Sequence, residues 1–194
     1  MSDATLPRRP RRELWLLALI TIVPVVASYF AYYVWRPEGL KNYGELITPP
    51  IPLRGLAAGG DAIAPPFDTD PLKGRWVLVM VDSGGCDATC KSKLWQIRQL
   101  RLTQGVDMER IQRVWLVDDG AAPDPGLLTE YEGTVVMQAR ASALIGKLSS
   151  TGAQRDHLFL VDPLGNLMMR FPKNADPNRI KKDLGQLLKV SRIG

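Results

Sequence analysis

The stretch WVLVMVDSGGCDATCK, residues 76–91, decides the fold of this 194-residue chain. Its first seven residues form an apolar run rich in branched side chains, which is typical of a fully buried β-strand. Two glycines end the strand, and apolar residues then recur at helical spacing at Leu94, Ile97 and Leu100. The sequence therefore predicts a strand that leads into a helix, with both cysteines of the chain at the junction.

The two cysteines, Cys86 and Cys90, are four positions apart. If both lie in the first turn of a helix they share a face, at a Cα separation of ~6 Å that a disulfide can bridge. A helix N-terminus lowers the pKa of a thiol, and Lys91 and Lys93 add positive charge nearby. Such a pair exchanges disulfides with a partner or binds a soft metal such as Cu(I). The alternative is an inert structural disulfide, although so small a loop stabilises weakly.

The rest of the domain alternates strands with helices. Further strands are predicted at residues 113–118, 157–162 and 167–171, a short extended piece at 134–137, a Pro-rich loop at 121–126, and helices at 139–148 and 177–189. Strands separated by helices form a parallel sheet through right-handed crossovers, and a hairpin at residues 163–166 adds an antiparallel edge. We therefore predict an α/β domain, a central mixed sheet flanked by helices, whose cysteines lie where open α/β sheets place their chemistry.

An N-terminal transmembrane anchor is predicted at residues 14–35. No charged residue occurs from residue 14 to residue 34, and about 20 apolar residues span a bilayer as a helix. The run is too long for the apolar core of a cleavable signal peptide, and it ends in aromatic residues that favour the membrane interface. Four arginines precede it, so the positive-inside rule predicts a cytoplasmic N-terminus. The expected location is the bacterial inner membrane, with the soluble domain in the oxidising periplasm.

The predicted organisation has four parts. They are a basic cytoplasmic tail (1–13), the anchor (14–35), a Pro/Gly-rich linker (36–71) with a short strand near 62–67, and the α/β domain (72–194). The formal net charge is +5, and the tail carries four of the arginines. The remaining domain is mildly basic and has no stripe of aromatic and basic residues, so we do not expect nucleic acid as a partner.

Three further motifs accompany the anchor and the cysteine pair. They are NYGELI at residues 42–47, GRWVLV at 74–79 and LFLVDPLG at 158–165. Together these features resemble the Sco/SenC family, copper chaperones with a thioredoxin-like fold and one N-terminal helix that help to assemble the copper centre of cytochrome c oxidase. The Cys-x-x-x-Cys spacing and the Asp-Pro-x-Gly turn are the more specific elements of the resemblance, which spans most of the chain.

The resemblance implies that Cys86 and Cys90 bind Cu(I). It also implies a partner that is a subunit of cytochrome c oxidase or another periplasmic copper or thiol protein. The family's metal site adds one histidine, and the sole histidine of this chain, His157, is the candidate third ligand. A direct count places Gln154 at the family's histidine position, so His157 matches if the loop is shorter here.

Other positions depart from the family pattern. Asp87 and Lys91 stand where the family has a proline after each cysteine. The family's acid in the middle of the domain corresponds to Asp118 or Asp119, and these acids equally suit a cap on the following loop.

Three functions remain open at this point. The first is a copper chaperone or assembly factor that uses the two thiolates, with or without His157. The second is a thiol–disulfide oxidoreductase in which Cys86, nearer the helix start and more exposed, is the nucleophile and Cys90 resolves the mixed disulfide. Against it, the spacing is not that of thioredoxins, and residues 155–157 lack their substrate-holding proline. The third is a thioredoxin-like scaffold with a structural disulfide. Apart from thiol–disulfide exchange, we do not expect a classical enzyme activity.

Overall fold

The computed structural model describes residues 11–33, 42–55, 72–148 and 152–193. The chain divides into two units, residues 1–41 and 42–194. Most of the predicted basic tail and the predicted strand near 62–67 lie outside the described residues.

The first unit contains a long apolar helix, α1 (Arg11–Tyr33). Within it, the span Arg12–Tyr33 is strongly apolar, with a mean hydropathy of 2.2. Its large apolar side chains, such as Leu17 and Ile20, are exposed. By length and composition this helix is long and apolar enough to cross a membrane, which is consistent with an anchor or a signal sequence.

The second unit is built on one six-stranded sheet in the order β1-β6-β5-β2-β3-β4. The strands are β1 (Glu45–Pro52), β2 (Trp76–Asp82), β3 (Ile111–Val117), β4 (Thr134–Gln138), β5 (Leu158–Val161) and β6 (Asn166–Phe171). β2, β3 and β4 run parallel. β5 runs antiparallel to β2 and to β6, and β6 runs antiparallel to β1.

Four helices flank this sheet: α2 (Ala88–Leu102), α3 (Pro125–Glu130), α4 (Ala143–Lys147) and α5 (Pro177–Val190). Every residue of β2 is buried, so the sheet has an apolar core on each face. Leu78 and Met80 pack in one core with buried residues of α2 and α5. Val79 and Val81 point to the opposite core, which includes Leu144 of α4. This alternation follows from the two-residue period of a strand.

The structure confirms the predicted fold, a mixed sheet flanked by helices in a thioredoxin-like arrangement. Two details of the topology differ. β5 follows α4 but runs antiparallel to β2, so the connection is not the expected parallel crossover. The β5–β6 hairpin does not form the edge of the sheet, because β1 covers β6.

Three local predictions also need correction. β1 lies inside the predicted linker, and its prolines are accommodated because an edge strand need not donate every N–H group. The loop predicted at 121–126 leads directly into α3, where Asp124 caps the helix and Pro125 occupies its first turn. The helix predicted at 139–148 is reduced to α4, because Ser142 is its N-cap.

The start of the second unit is fixed on α5. The carboxylate of Asp183, a buried residue, accepts hydrogen bonds of 2.8 Å from the backbone N–H groups of both Tyr43 and Gly44. The Tyr43 ring lies 3.9 Å from the Arg179 guanidinium, and its hydroxyl accepts a hydrogen bond from the N–H of Asp176. A charged acceptor with two donors satisfies a buried carboxylate, so this contact holds the first residues of the unit in place.

Gly44→Ala should destabilise the protein. A β-carbon there would lie 2.4 Å from the sulfur of Met169 and 2.8 Å from a ring carbon of Phe171, and overpacking of this kind costs about 1–3 kcal/mol. Gly146→Ala is the control, because a β-carbon at Gly146 in α4 meets no atom within 4 Å. Urea denaturation measures both variants. A Gly44→Ala protein as stable as the Gly146→Ala protein would contradict the close packing of Gly44 against Met169 and Phe171.

Candidate functional site

Cys86 and Cys90 form a disulfide with a Cα–Cα distance of 5.1 Å. Both residues belong to the apolar core beneath α2, at 5% and 0% exposure. Both residues are buried, and Cys86 is slightly the more exposed of the two. The burial is larger than the sequence suggested, since both side chains pack in the core.

Only one of the two cysteines lies in the helix, although their spacing would allow both to lie in its first turn. Asp87 is the N-cap of α2, and its carboxylate accepts a 2.9 Å hydrogen bond from the N–H of Cys90. Cys90 is therefore in the first turn, whereas Cys86 precedes the helix with φ of +30°. Non-glycine residues rarely adopt positive φ, and such backbone strain concentrates at functional positions.

The loop between β2 and Cys86 is held by Asp119. Its carboxylate accepts hydrogen bonds from the N–H groups of Gly84 and Ala121 at 3.1 and 3.0 Å. Hydrogen bonds from the Ser83 hydroxyl and then from Gly84 lower the pKa of Asp119 below its usual value. A β-carbon at Gly84 would lie 2.0 Å from the carbonyl oxygen of Ala121, so only glycine allows the two loops to approach this closely.

The neighbouring acid, Asp118, forms a two-pronged ion pair with Arg155. The Nε and Nη2 atoms of Arg155 lie 2.8 and 2.6 Å from the two oxygens of Asp118. This hydrogen-bonded pair raises the pKa of Arg155 above its usual value. The ion pair ties the end of β3 to the segment before β5, beside the cysteine loop. Asp118 and Asp119 thus both bind structural partners, and Asp119 also caps its own loop as the sequence allowed.

Lys93 makes a third structural contact near the cysteine loop. From the sequence, its positive charge was expected to act on the thiols. Its ammonium group lies 2.5 Å from the Asp82 carboxylate and donates to the carbonyl oxygens of Val81 and Arg155 at 3.0 and 2.6 Å. Lys93 and Asp82 are both largely buried. The charge of Lys93 is therefore balanced by Asp82 rather than directed to the thiols. The sequence contains a sign of this ion pair: Asp82 ends an apolar strand, and a buried acid requires a cation beside it.

His157 immediately precedes β5, which places it beside the carboxyl end of β2. Its Nδ1 atom is 2.8 Å from the carbonyl oxygen of Phe171, and its ring packs edge-on against Phe159. Phe159 belongs to the core on the opposite face of the sheet from the two cysteines. The ring of His157 therefore packs against the core opposite to that of the two cysteines.

A three-ligand metal site is not assembled in the part of the chain that the structure describes. No group of three or more His, Cys, Asp or Glu side chains there could hold a metal ion. Gln154, at the family's histidine position by direct count, donates a 2.8 Å hydrogen bond to the carbonyl oxygen of Ile145. What the arrangement offers is a pair of sulfur atoms that reduction would convert into two adjacent thiols.

The solved structures that resemble this protein include two Sco1 proteins. Copper-bound yeast Sco1 aligns with a TM-score of 0.50 and 16% identity, covering 62% of this chain and 82% of its own. Apo Sco1 from Thermus thermophilus aligns with a TM-score of 0.53 and 14% identity, covering 76% and 95%. No curated protein matches the sequence significantly. At such identities the likeness establishes the fold.

The fold and the site together define a Sco-like thioredoxin-fold protein with a Cys-x-x-x-Cys pair. The sequence model of one family matches residues 76–191, more than half of the chain. The protein belongs to that family, described as the transmembrane-like, thioredoxin-like, C-terminal domain.

Lys93→Met should destabilise the protein by about 3–5 kcal/mol, because it leaves the Asp82 carboxylate buried without its cation. The double variant Lys93→Met with Asp82→Asn should recover much of that loss, since the orphaned charge is removed. Lys91→Met, at an exposed position in the same helix, is the matched control and should be close to neutral. Urea denaturation at neutral pH distinguishes these cases; equal stability of the Lys93→Met and Lys91→Met proteins would refute the buried pair.

Proposed function

We propose that this protein is a membrane-anchored copper-binding assembly factor. In its reduced form Cys86 and Cys90 bind one Cu(I) ion as two thiolates and pass it to a partner, a cytochrome c oxidase subunit or another periplasmic copper or thiol protein. Helix α1 anchors the chain once in the bacterial inner membrane, with the N-terminus in the cytoplasm and the second unit in the periplasm. The observation that carries the proposal is the paired sulfur atoms at the start of α2 in a Sco-like fold.

The donor set fits Cu(I) rather than a hard cation. Thiolates are soft ligands and favour Cu(I), for which two sulfur donors are chemically adequate. The 5.1 Å Cα separation keeps the two sulfurs adjacent once the bond between them is broken. Cys90 lies in the first turn of α2, where the helix dipole favours a thiolate.

Copper binding requires the disulfide to be reduced first. A thiolate of a partner dithiol attacks the more accessible sulfur of Cys86, and the Cys86–Cys90 bond breaks. The partner's second thiol then attacks the mixed disulfide. The partner leaves oxidised, with its own disulfide, and this protein gains two electrons and two protons as two thiols. Binding of Cu(I) releases protons from the thiols, so affinity should rise with pH.

Transfer of the cargo is a ligand exchange. Thiolates of the acceptor replace Cys86 and Cys90 one at a time, and no electron moves. Cys86 is the more exposed ligand, so it is the first to be displaced. The loops fixed by Asp119 and by the Asp118–Arg155 ion pair hold the site in shape while its ligands change.

Cys86→Ser and Cys90→Ser should each lower Cu(I) affinity by at least tenfold, because one of two thiolate ligands is lost. A competition titration of the reduced protein against a chromophoric Cu(I) chelator measures this. Since both side chains are buried, circular dichroism must first establish that each variant is folded. Ser92→Ala, at an exposed position of α2, is the control and should bind like wild type. Wild-type affinity in a folded cysteine variant would contradict the two-thiolate site.

His157→Ala should leave Cu(I) affinity unchanged, because the imidazole bonds to Phe171 and packs on the face of the sheet away from the cysteines. The same titration gives the answer. Weaker binding in a folded His157→Ala protein would instead assign His157 as the third ligand that the family resemblance implies.

Thiol–disulfide exchange is the second candidate function, favoured by the closed disulfide and by the greater exposure of Cys86. In that case the protein reduces the cysteines of a partner and does not carry the metal. The reduction potential of the pair, measured against glutathione, separates it from a structural bridge. A pair that glutathione leaves fully oxidised would indicate a scaffold with an inert disulfide.

A further inference from the structure

The exposed side of α5 carries an unpaired basic surface. We define the basic face of α5 as Lys181, Lys182 and Lys189, all exposed. Lys182 and Lys189 are seven positions apart and therefore lie on one stripe of the helix. Within the described residues, no ion pair involves these three lysines.

The acidic groups near this helix do not neutralise that surface. Asp183 is buried and occupied by the N–H groups of Tyr43 and Gly44. Asp176 caps the N-terminus of the helix, and Asp107 pairs with Arg110 near the other end. A shallow groove of about 390 Å³ runs along the basic face, beside Gln186 and the three lysines. The surface thus combines concentrated positive charge with space for small anionic groups.

Helix α5 also contacts residues that come shortly after α1 in the chain. Near the start of the second unit, Tyr43 and Gly44 contact three residues of α5: Asp176, Arg179 and Asp183. Eight residues, 34–41, separate the end of α1 from Asn42, where the second unit begins. An extended segment of that length spans at most roughly 28 Å. If α1 crosses a membrane, this short connection tethers the second unit, which includes α5, to that membrane.

We propose that the basic face of α5 docks on anionic phospholipid headgroups of the membrane that α1 spans. The interaction is electrostatic, between the lysine ammonium groups and headgroup phosphates, and each lysine near such a surface favours the bound state about fivefold. Val190 and Ile193, exposed just beyond Lys189, are suited to the interface beside the headgroups. The inference rests on the anchor in the proposed function but not on copper binding.

The test uses the full chain in lipid nanodiscs of phosphatidylcholine alone or in equal mixture with phosphatidylglycerol. An amine-reactive reagent labels the lysines, and mass spectrometry gives the rate at each position. Labelling of the basic face should be at least about fivefold slower in the anionic nanodiscs, the effect expected of a single lysine. The difference should vanish near 1 M salt, where the Debye length is about 3 Å. Lys73 and Lys147, exposed elsewhere on the unit, are internal controls and should react equally in both membranes.

A matched pair of double variants checks that the charge acts locally. Lys182→Gln with Lys189→Gln should return the labelling of Lys181 to its rate in neutral lipid. Lys73→Gln with Lys147→Gln removes the same charge elsewhere and should leave Lys181 protected. Equal labelling of the basic face in both membranes, or slowing that persists in high salt, would overturn the proposal. Loss of the chain from the nanodisc would overturn the anchor and the docking together, whereas Cu(I) titration of the same sample reports the copper site independently.

Discussion

The burial of β2 on both faces is the constraint on which the rest of the structure depends. A strand with no exposed side requires an apolar layer above and below, and α2 with α5 supplies one while α4 contributes to the other. The carboxyl end of that strand must then leave the core, and it does so with Asp82, an acid that cannot be buried alone. The ammonium group of Lys93 neutralises that charge, and the ion pair joins α2 to the end of the strand.

The cysteine loop is the direct consequence of this arrangement. Between the end of β2 and the start of α2, five residues turn the chain, and Cys86 adopts a positive φ in this turn. Asp119 and Gly84 draw the loop against the end of β3. The sulfur pair is therefore presented by a frame of hydrogen bonds and ion pairs rather than by a flexible segment. Preorganisation of this kind lets ligands exchange while the scaffold stays in place.

Strong local patterns account for what the sequence predicted correctly. The apolar run of β2, the helical spacing of α2 and the Asp-Pro-x-Gly hairpin each have one interpretation, so the mixed sheet and the cysteine junction could be predicted. The pairing of β1 with β6 and the direction of β5 depend on contacts distant in sequence, which periodicity does not encode. The hydrogen bond between His157 and the carbonyl oxygen of Phe171, 14 residues away, was missed for the same reason. A residue's type states what it can bind, whereas the fold decides what lies beside it.

X-ray absorption spectroscopy of the reduced, copper-loaded protein would show whether two thiolates bind Cu(I), as we propose. We expect one Cu(I) per chain, with a first shell of two sulfur atoms and no imidazole scattering. An imidazole in the shell would contradict the placement of His157. Failure of the reduced protein to retain copper would contradict copper carriage itself, and the site would then be one of thiol exchange or a structural disulfide.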